Sequence, residues 1–287
     1  MGNPAAWVAE VTPGATEDDV ARAIAAARAE SLPHVPTLAA LPPRVDATGI
    51  APRVGLPRRA LLLVGSAKPA GTSASERLGR ALLDRLAAKG WGVDVAHLAR
   101  LVRLHRRDAP EFVARISDVD LVILATPVYV DSLPALVLAA LERIGRGRHG
   151  HLLPIVQCGF PEISHTRLAL EVLSEAADRL GFQWAGHLAA GGAGALAGQD
   201  LSAPSGPTWR VVRALDAAAE ALHAGDPVPQ EATLEFAAAP VPPWMYRLMG
   251  EAGWMFAALK EGVFWLGDEP FARHEPSSPD RPTLVER

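Results

Sequence analysis

The chain has 287 residues, 49% of them hydrophobic and 21% charged, with a formal net charge of −4. That is ample apolar material for one large domain with extensions or for two small ones, and the slight acidity excludes a general electrostatic attraction to nucleic acid. A single cysteine, Cys158, excludes an internal disulfide and any all-cysteine metal or iron–sulfur site.

The opening "MGNPAAWVAEV" has no basic region followed by an apolar one, so no export signal is read and a cytoplasmic location is expected. Thr16 followed by "EDDVARAIAAARAE" predicts a capped helix with acids in its first turn. The next stretch, "SLPHVPTLAALPPRVDATGIAPRVGLP", carries six prolines and no periodicity, which predicts an extended arm lying on other structure. Residues 1–57 are therefore expected to form a helix and an arm.

From Arg59 the pattern changes to short apolar runs alternating with helical spacing. Strands are expected at Ala60–Val64, Val93–His97, Leu121–Ala125, Leu152–Gln157 and Gln183–Ala190. Helices are expected near Ser73–Lys89, Glu111–Ser117, Leu133–Ile144, Thr166–Leu180 and Thr208–His223. Five strands alternating with five helices predict an α/β domain over 58–225, a doubly wound three-layer sandwich around a five-stranded parallel sheet. Runs such as "LVILA", without polar alternation, predict strands covered on both faces. The long apolar stretch Leu121–Leu141 resembles a membrane span, but Pro127, Asp131, Ser132 and Pro134 at its centre fit a strand, a loop and a helix instead. The short Arg-rich pieces Arg103–Arg107 and Arg143–Arg148 read as solvated surface.

Beyond Gly225 the composition shifts toward proline and bulky aromatics, including Trp244, Trp254 and Trp265. Residues 226–287 are expected to be an aromatic-rich extension whose large side chains serve as core or subunit contacts rather than as a lipid-facing surface.

Open α/β sheets bind ligands beyond the carboxyl ends of their strands, and three loops at that edge stand out. The first is "GSAKPAGTS", Gly65–Ser73, whose small residues let the backbone approach an anion while Ser66, Thr72 and Ser73 supply hydroxyls ahead of a helix N-terminus. A phosphate fits it. The triphosphate loop does not, because five residues separate Gly65 from Gly71 and Thr72 follows where a lysine is needed. The looser glycine run "GGAGALAG", Gly191–Gly198, reads as a turn at the sheet edge rather than a dinucleotide fingerprint. The second loop, "TPVYVDSLP" (Thr126–Pro134), is stiffened by prolines and carries Tyr129. The third, "QCGFPE" (Gln157–Glu162), has Gly159 for close approach to a flat ligand. A buried small residue is the plainer reading of Cys158, which has no paired base.

Together and in this order, the three loops resemble those of the flavodoxin-like NAD(P)H-dependent FMN reductase family, over roughly Arg59–Ala224. In that family the first loop has the form G-S-x-[RK]-x-x-(x)-[ST]-x-S, matched here by Gly65, Ser66, Lys68, Thr72, Ser73 and Ser75. Lys68 stands where arginine is commoner. The second, [ST]-P-x-Y-x-x-[ST]-x-P, is matched by Thr126, Pro127, Tyr129, Ser132 and Pro134, and Cys158–Glu162 match the segment beside the flavin ring. The tail stretch "VPPWMYRLMGEAGW" is also similar to the C-terminal segment of some members.

The resemblance implies strand order 2-1-3-4-5, bound FMN, and NAD(P)H as the co-substrate. It implies a cofactor site of Ser66, Lys68, Thr72, Ser73, Pro127, Val128, Tyr129, Val130, Cys158, Gly159, Phe160 and Glu162, with no metal. Hydride would pass from NAD(P)H through the flavin to a small acceptor such as a quinone or free flavin. The backbone N–H groups of Val128–Val130 and Gly159–Phe160 would stabilise negative charge on the ring. No acid–base residue is assigned: Glu162, His165 and Tyr129 are candidates read first as structural. A homodimer or homotetramer without membrane span or nucleic-acid partner is expected. The alternative is a flavodoxin-like electron carrier or FMN-binding interaction module that does not oxidise NAD(P)H directly. A serine hydrolase built on Ser66 or Ser73 is disfavoured, because no G-x-S-x-G elbow is present.

Overall fold

In a computed structural model, six parallel strand segments form one sheet. The structure describes residues 47–51, 57–103, 109–196, 198–238, 243–260 and 262. The predicted helix after Thr16, most of the proline-rich arm and Trp265 lie outside the described residues.

The elements run β1 (Arg59–Val64), α1 (Ala74–Ala88), β2 (Gly92–His97), α2 (Leu98–Arg103), α3 (Ala109–Ser117), β3 (Leu121–Pro127), α4 (Ala135–Ile144) and β4 (His151–Gln157). Then follow α5 (Arg167–Leu180), β5 (Gln183–Trp184), β6 (Leu188–Ala190), α6 (Trp209–Ala224), α7 (Gln230–Ala237) and α8 (Pro243–Lys260). The strand order is β2-β1-β3-β4-β5, with β6 beside β4; this is the flavodoxin-like order, and its reversal point falls between β1 and β3.

Side chains alternate across the sheet, so each continuous apolar strand feeds two cores. Leu62, Val64 and Ile123 point into one core with Leu78, Leu82 and Leu86 of α1, Val212 and Leu215 of α6 and Phe236 of α7. Leu61, Leu63 and Leu124 point into the other, with Ile116 of α3, Val137 of α4 and Leu173 of α5. Every residue of β3 and β4 is buried. At about 1.5–3 kcal/mol for each large apolar side chain removed from water, these two layers fix the sheet between its helices.

The expected fifth strand, Gln183–Ala190, is not continuous. Gly186 adopts φ +102, and the side chain of Val228 occupies the space where a Cβ would stand. Val228 donates from its backbone to the carbonyl of Ala185 at 2.9 Å, so the strand breaks into β5 and β6 around that contact. Thr48 donates from its backbone to Trp184 at 2.9 Å and so covers the exposed edge of β5. Next to it, Ile50 is buried in the core. Thr48 and Ile50 thus lie against the sheet edge and the core. Helices α2 and α7, unannounced in the sequence, are short; α7 buries Ala232 and Phe236.

The chain divides into two units, the second beginning at Trp244. Within the second unit, α8 exposes Leu248, Met249, Trp254, Met255, Phe256 and Leu259. No described helix is long and apolar enough to cross a membrane.

Candidate functional site

A cleft of about 280 Å³ opens at the carboxyl edge of the sheet, where strand order reverses. Of the twelve residues expected there, Ser66, Lys68, Thr72, Ser73, Pro127, Val128, Tyr129 and Gly159 line it. Val130, Cys158, Phe160 and Glu162 do not. Ala74, Ser75, Gln157, Ala193 and Gly194 complete the wall. Gln157 ends β4 and so sits where strand topology puts ligands, a signal available in the sequence. Ala193 and Gly194 belong to the glycine run, which serves as a sheet-edge turn and also borders the cleft.

The first loop leaves β1 at Gly65, where a Cβ would stand 2.8 Å from the Thr126 and Val137 side chains, and ends at Ser73, the N-cap of α1. Ser73 Oγ accepts from the Glu76 backbone at 3.1 Å, Ser66 Oγ accepts from the Lys68 backbone at 3.3 Å, and Ser75 Oγ accepts from Gln157 Nε2 at 3.2 Å. All three serines are buried. Each oxygen therefore takes an internal bond, and among the described residues none of the three O–H groups donates to the protein. A hydroxyl so used has its proton left for a ligand. Thr72 differs: its hydroxyl donates to the Pro69 carbonyl at 2.7 Å, so it shapes the loop and has no proton to offer.

The second loop is a tight turn. Tyr129 and Ser132 exchange backbone bonds of 3.0 and 3.1 Å around Val130 and Asp131, which sit at φ 50 and 58. Two left-handed central residues are the mark of a type I′ turn, which Asn-Gly would announce and Val-Asp does not. Val130 is 99% exposed and projects into solvent rather than into the cleft; Tyr129 is 52% exposed. The Val128 N–H donates to Gln157 at 2.8 Å and the Tyr129 N–H to Ser132. Those two amides, expected to face a flavin ring, are consumed by the fold.

The third loop rests on the glycine run. Cys158 donates from its backbone to Ala190, Gly192 donates to Phe160 at 2.6 Å, and a Cβ on Gly191 would stand 2.5 Å from the Pro161 carbonyl. The Cys158 thiol is buried and donates toward the carbonyls of Phe160 and Glu162. Burial pushes this thiol upward, and the nearby carboxylates of Asp131 and Glu162 add to the rise, so it stays protonated. Phe160 is exposed beside the cleft and packs on His165, ring centroids 5.0 Å apart. His165 Nδ1, in the 3-10 turn that follows the third loop, lies 2.5 Å from Asp131 Oδ1 of the second loop.

Two larger grooves, of about 500 and 530 Å³, lie on helix faces. The first contains the Arg85–Asp216 ion pair at 2.6 Å, and the second lies between α4 and α5. Neither lies at the sheet's carboxyl edge. Among the described residues no three His, Cys, Asp or Glu side chains are grouped to hold a metal.

Residues 58–155, from β1 through most of β4, match the family described as NADPH-dependent FMN reductase. The matched segment is similar to that family and includes the first and second loops. No curated protein matches the chain. Among solved structures, an NADH:FMN oxidoreductase, EMOB, is similar at 20% identity and a TM-score of 0.44, over 65% of this chain and 98% of that one. An FMN-dependent NADH-azoreductase from Bacillus anthracis in complex with FMN is similar at 13% identity and 0.42, over 58% and 99%.

Proposed function

We propose that this chain is an FMN-dependent oxidoreductase that passes hydride from NAD(P)H, through bound flavin, to a small acceptor such as a quinone or free flavin. The observation that carries the reading is the donor set of Ser66, Ser73 and Ser75: three buried hydroxyls, accepting inside the protein and free to donate into one cleft, at the N-terminus of α1. Such a set suits a phosphate dianion, because every one of its contacts can be a donor.

The residues present fit FMN. Ser66, Ser73 and Ser75 would hold the phosphate, and Lys68, which lines the cleft and has no ion pair with a described residue, would supply the cation. The volume of about 280 Å³ sits at the small end of ligand sites, near 300 Å³, which suits the phosphate and its chain; Tyr129 and Phe160 would border a flat ring at the rim. Gln157, anchored through its amide nitrogen on Ser75, would keep its carbonyl oxygen for a ribityl hydroxyl. Bound FMN would supply the acceptance and donation of hydride. With the Val128 and Tyr129 amides used internally, polar support for the ring falls to the loops' other groups. The Asp131–His165 pair ties the second loop to the turn that follows the third, a positioning role. A homodimer or homotetramer in the cytoplasm belongs to the same reading.

The test is titration of the purified protein with FMN, followed by NADH or NADPH oxidation with a quinone acceptor. Flavin binding with sustained turnover supports the proposal, and failure to bind FMN overturns it. FMN binding without NAD(P)H consumption would instead favour the electron-carrier reading, to which the exposed apolar residues of α8 lend support.

A further inference from the structure

Beneath the first loop lies a carboxylate that neither the family motif nor the proposed chemistry uses. Glu76 is 1% exposed and stands three residues after the N-cap Ser73, the spacing of a capping box. In an ordinary box the carboxylate returns to the N-cap's own N–H. Here Glu76 Oε2 reaches two residues further out and accepts from the Gly71 backbone at 2.6 Å. Its other oxygen accepts from Arg80 Nε at 2.8 Å and lies 3.1 Å from His97 Nε2.

These contacts make Glu76 the hub that joins the loop, the first turn of α1 and the end of β2. Thr72 closes the same stretch by donating from both its backbone and its hydroxyl to Pro69. With Gly71 tied to α1 and Thr72 tied to Pro69, the path of the chain into Ser73 is determined before any ligand arrives. Burial by itself would raise the Glu76 pKa, but the Gly71 N–H, and then Arg80 and His97, outweigh it and hold the carboxyl below its ordinary value. The group is therefore a carboxylate at neutral pH. Its charge is balanced on the side away from the loop by Arg80, so an incoming phosphate does not meet an uncompensated anion.

We propose that Glu76 is a positioning residue for the phosphate-binding loop: by holding the Gly71 N–H it sets the geometry of the hydroxyl donors and so determines how strongly the site prefers FMN to riboflavin. This inference rests on the FMN reading given above. It concerns the phosphate end alone, since Glu76 does not line the cleft.

The experiment measures the dissociation constants of FMN and of riboflavin by flavin fluorescence, on the full chain, for wild type and for Glu76→Ala, Glu76→Asp and Glu76→Gln. Far-UV circular dichroism accompanies each variant. Glu76→Ala is expected to weaken FMN about tenfold or more, the scale of one lost charge-assisted hydrogen bond, with riboflavin unchanged. Glu76→Gln, which can still accept from Gly71, is expected to recover most of the loss. Should the alanine variant fail to fold, Glu76→Asp carries the test. It keeps the charge but shortens the reach to Gly71, and is expected to weaken FMN selectively. Equal weakening of both flavins, or unchanged FMN affinity, would overturn the role. Wild-type protein that binds neither flavin would overturn the FMN reading itself, a different and distinguishable result.

Discussion

Gln157, the last residue of β4, donates from Nε2 to the hydroxyl of Ser75 in the first turn of α1, at 3.2 Å and across 82 residues of sequence. The bond aligns two groups at once: it fills the acceptor side of Ser75, leaving the proton for a ligand, and it turns the Gln157 carbonyl oxygen away from Ser75. Ser75→Ala removes a donor and leaves the buried Gln157 amide without this partner. We expect about tenfold weaker FMN binding and a stability loss of about 1–2 kcal/mol, read by fluorescence titration and urea unfolding. FMN affinity equal to wild type would contradict the assignment of Ser75 to the phosphate.

The serines and Thr72 of the first loop separate by where their protons go. Ser66→Ala is expected to weaken FMN about tenfold, because Ser66 has a free donor. Thr72→Ala is expected to do less, since its hydroxyl is spent on Pro69. Equal losses at the two positions would mean that the Thr72 hydroxyl reorients on binding.

Stability should fall on mild acidification. Burial holds the His187 imidazole down at about 4 against an ordinary 6.5, so as pH falls the unfolded chain takes up this proton first. The stabilisation is complete above about 6.5 and is lost as pH falls toward 4; over that window the linkage amounts to about 3 kcal/mol. Burial also lowers His151, in the same direction. Glu76 acts lower down: with its folded value depressed, its contribution is present above about 4.5 and is lost as pH drops through that folded value. Urea unfolding of wild type and His187→Gln from pH 7.5 to 4.5 checks this, and wild type should lose stability relative to the variant as pH falls. A pH-independent difference would refute the assignment.

Val130 is a β-branched residue at φ 50 with 99% of its surface exposed, so it carries left-handed strain without compensating burial. Val130→Asn, which tolerates that conformation, should raise stability by about 1 kcal/mol. The urea midpoint reports it directly; a lower midpoint would show that the valine makes contacts that outweigh its strain.

The Cys158 thiol is buried, and its pKa is raised by that burial and by neighbouring carboxylates. Reaction with a thiol reagent at pH 8 should therefore be slow in the native protein and fast after unfolding in urea. Rapid native labelling would show that the third loop opens in solution.

Apolar runs such as "LVILA" are legible as buried strands because burial on both faces removes any need for polar alternation, and helices α1, α4, α5 and α6 follow from their spacing. The break at Gly186 was not legible, because it is imposed by Val228, whose contact with Ala185 exists only after α6 has returned to the sheet. Nor was the turn at Val130 and Asp131, where tertiary context overrides residue preference.

By itself, then, the sequence determined which loops meet at the carboxyl edge and what chemistry they offer: small residues, hydroxyls, a lysine and an aromatic at spacings suited to a phosphate and a flat ring. Only the tertiary structure decided which groups remain available. Thr72 and the Val128 and Tyr129 amides turn inward, the Gln157 amide is spent on Ser75, and Glu76 ties the loop from below. The reason is physical: residue type sets how many hydrogen bonds a group can make, but their direction depends on partners brought close by the fold.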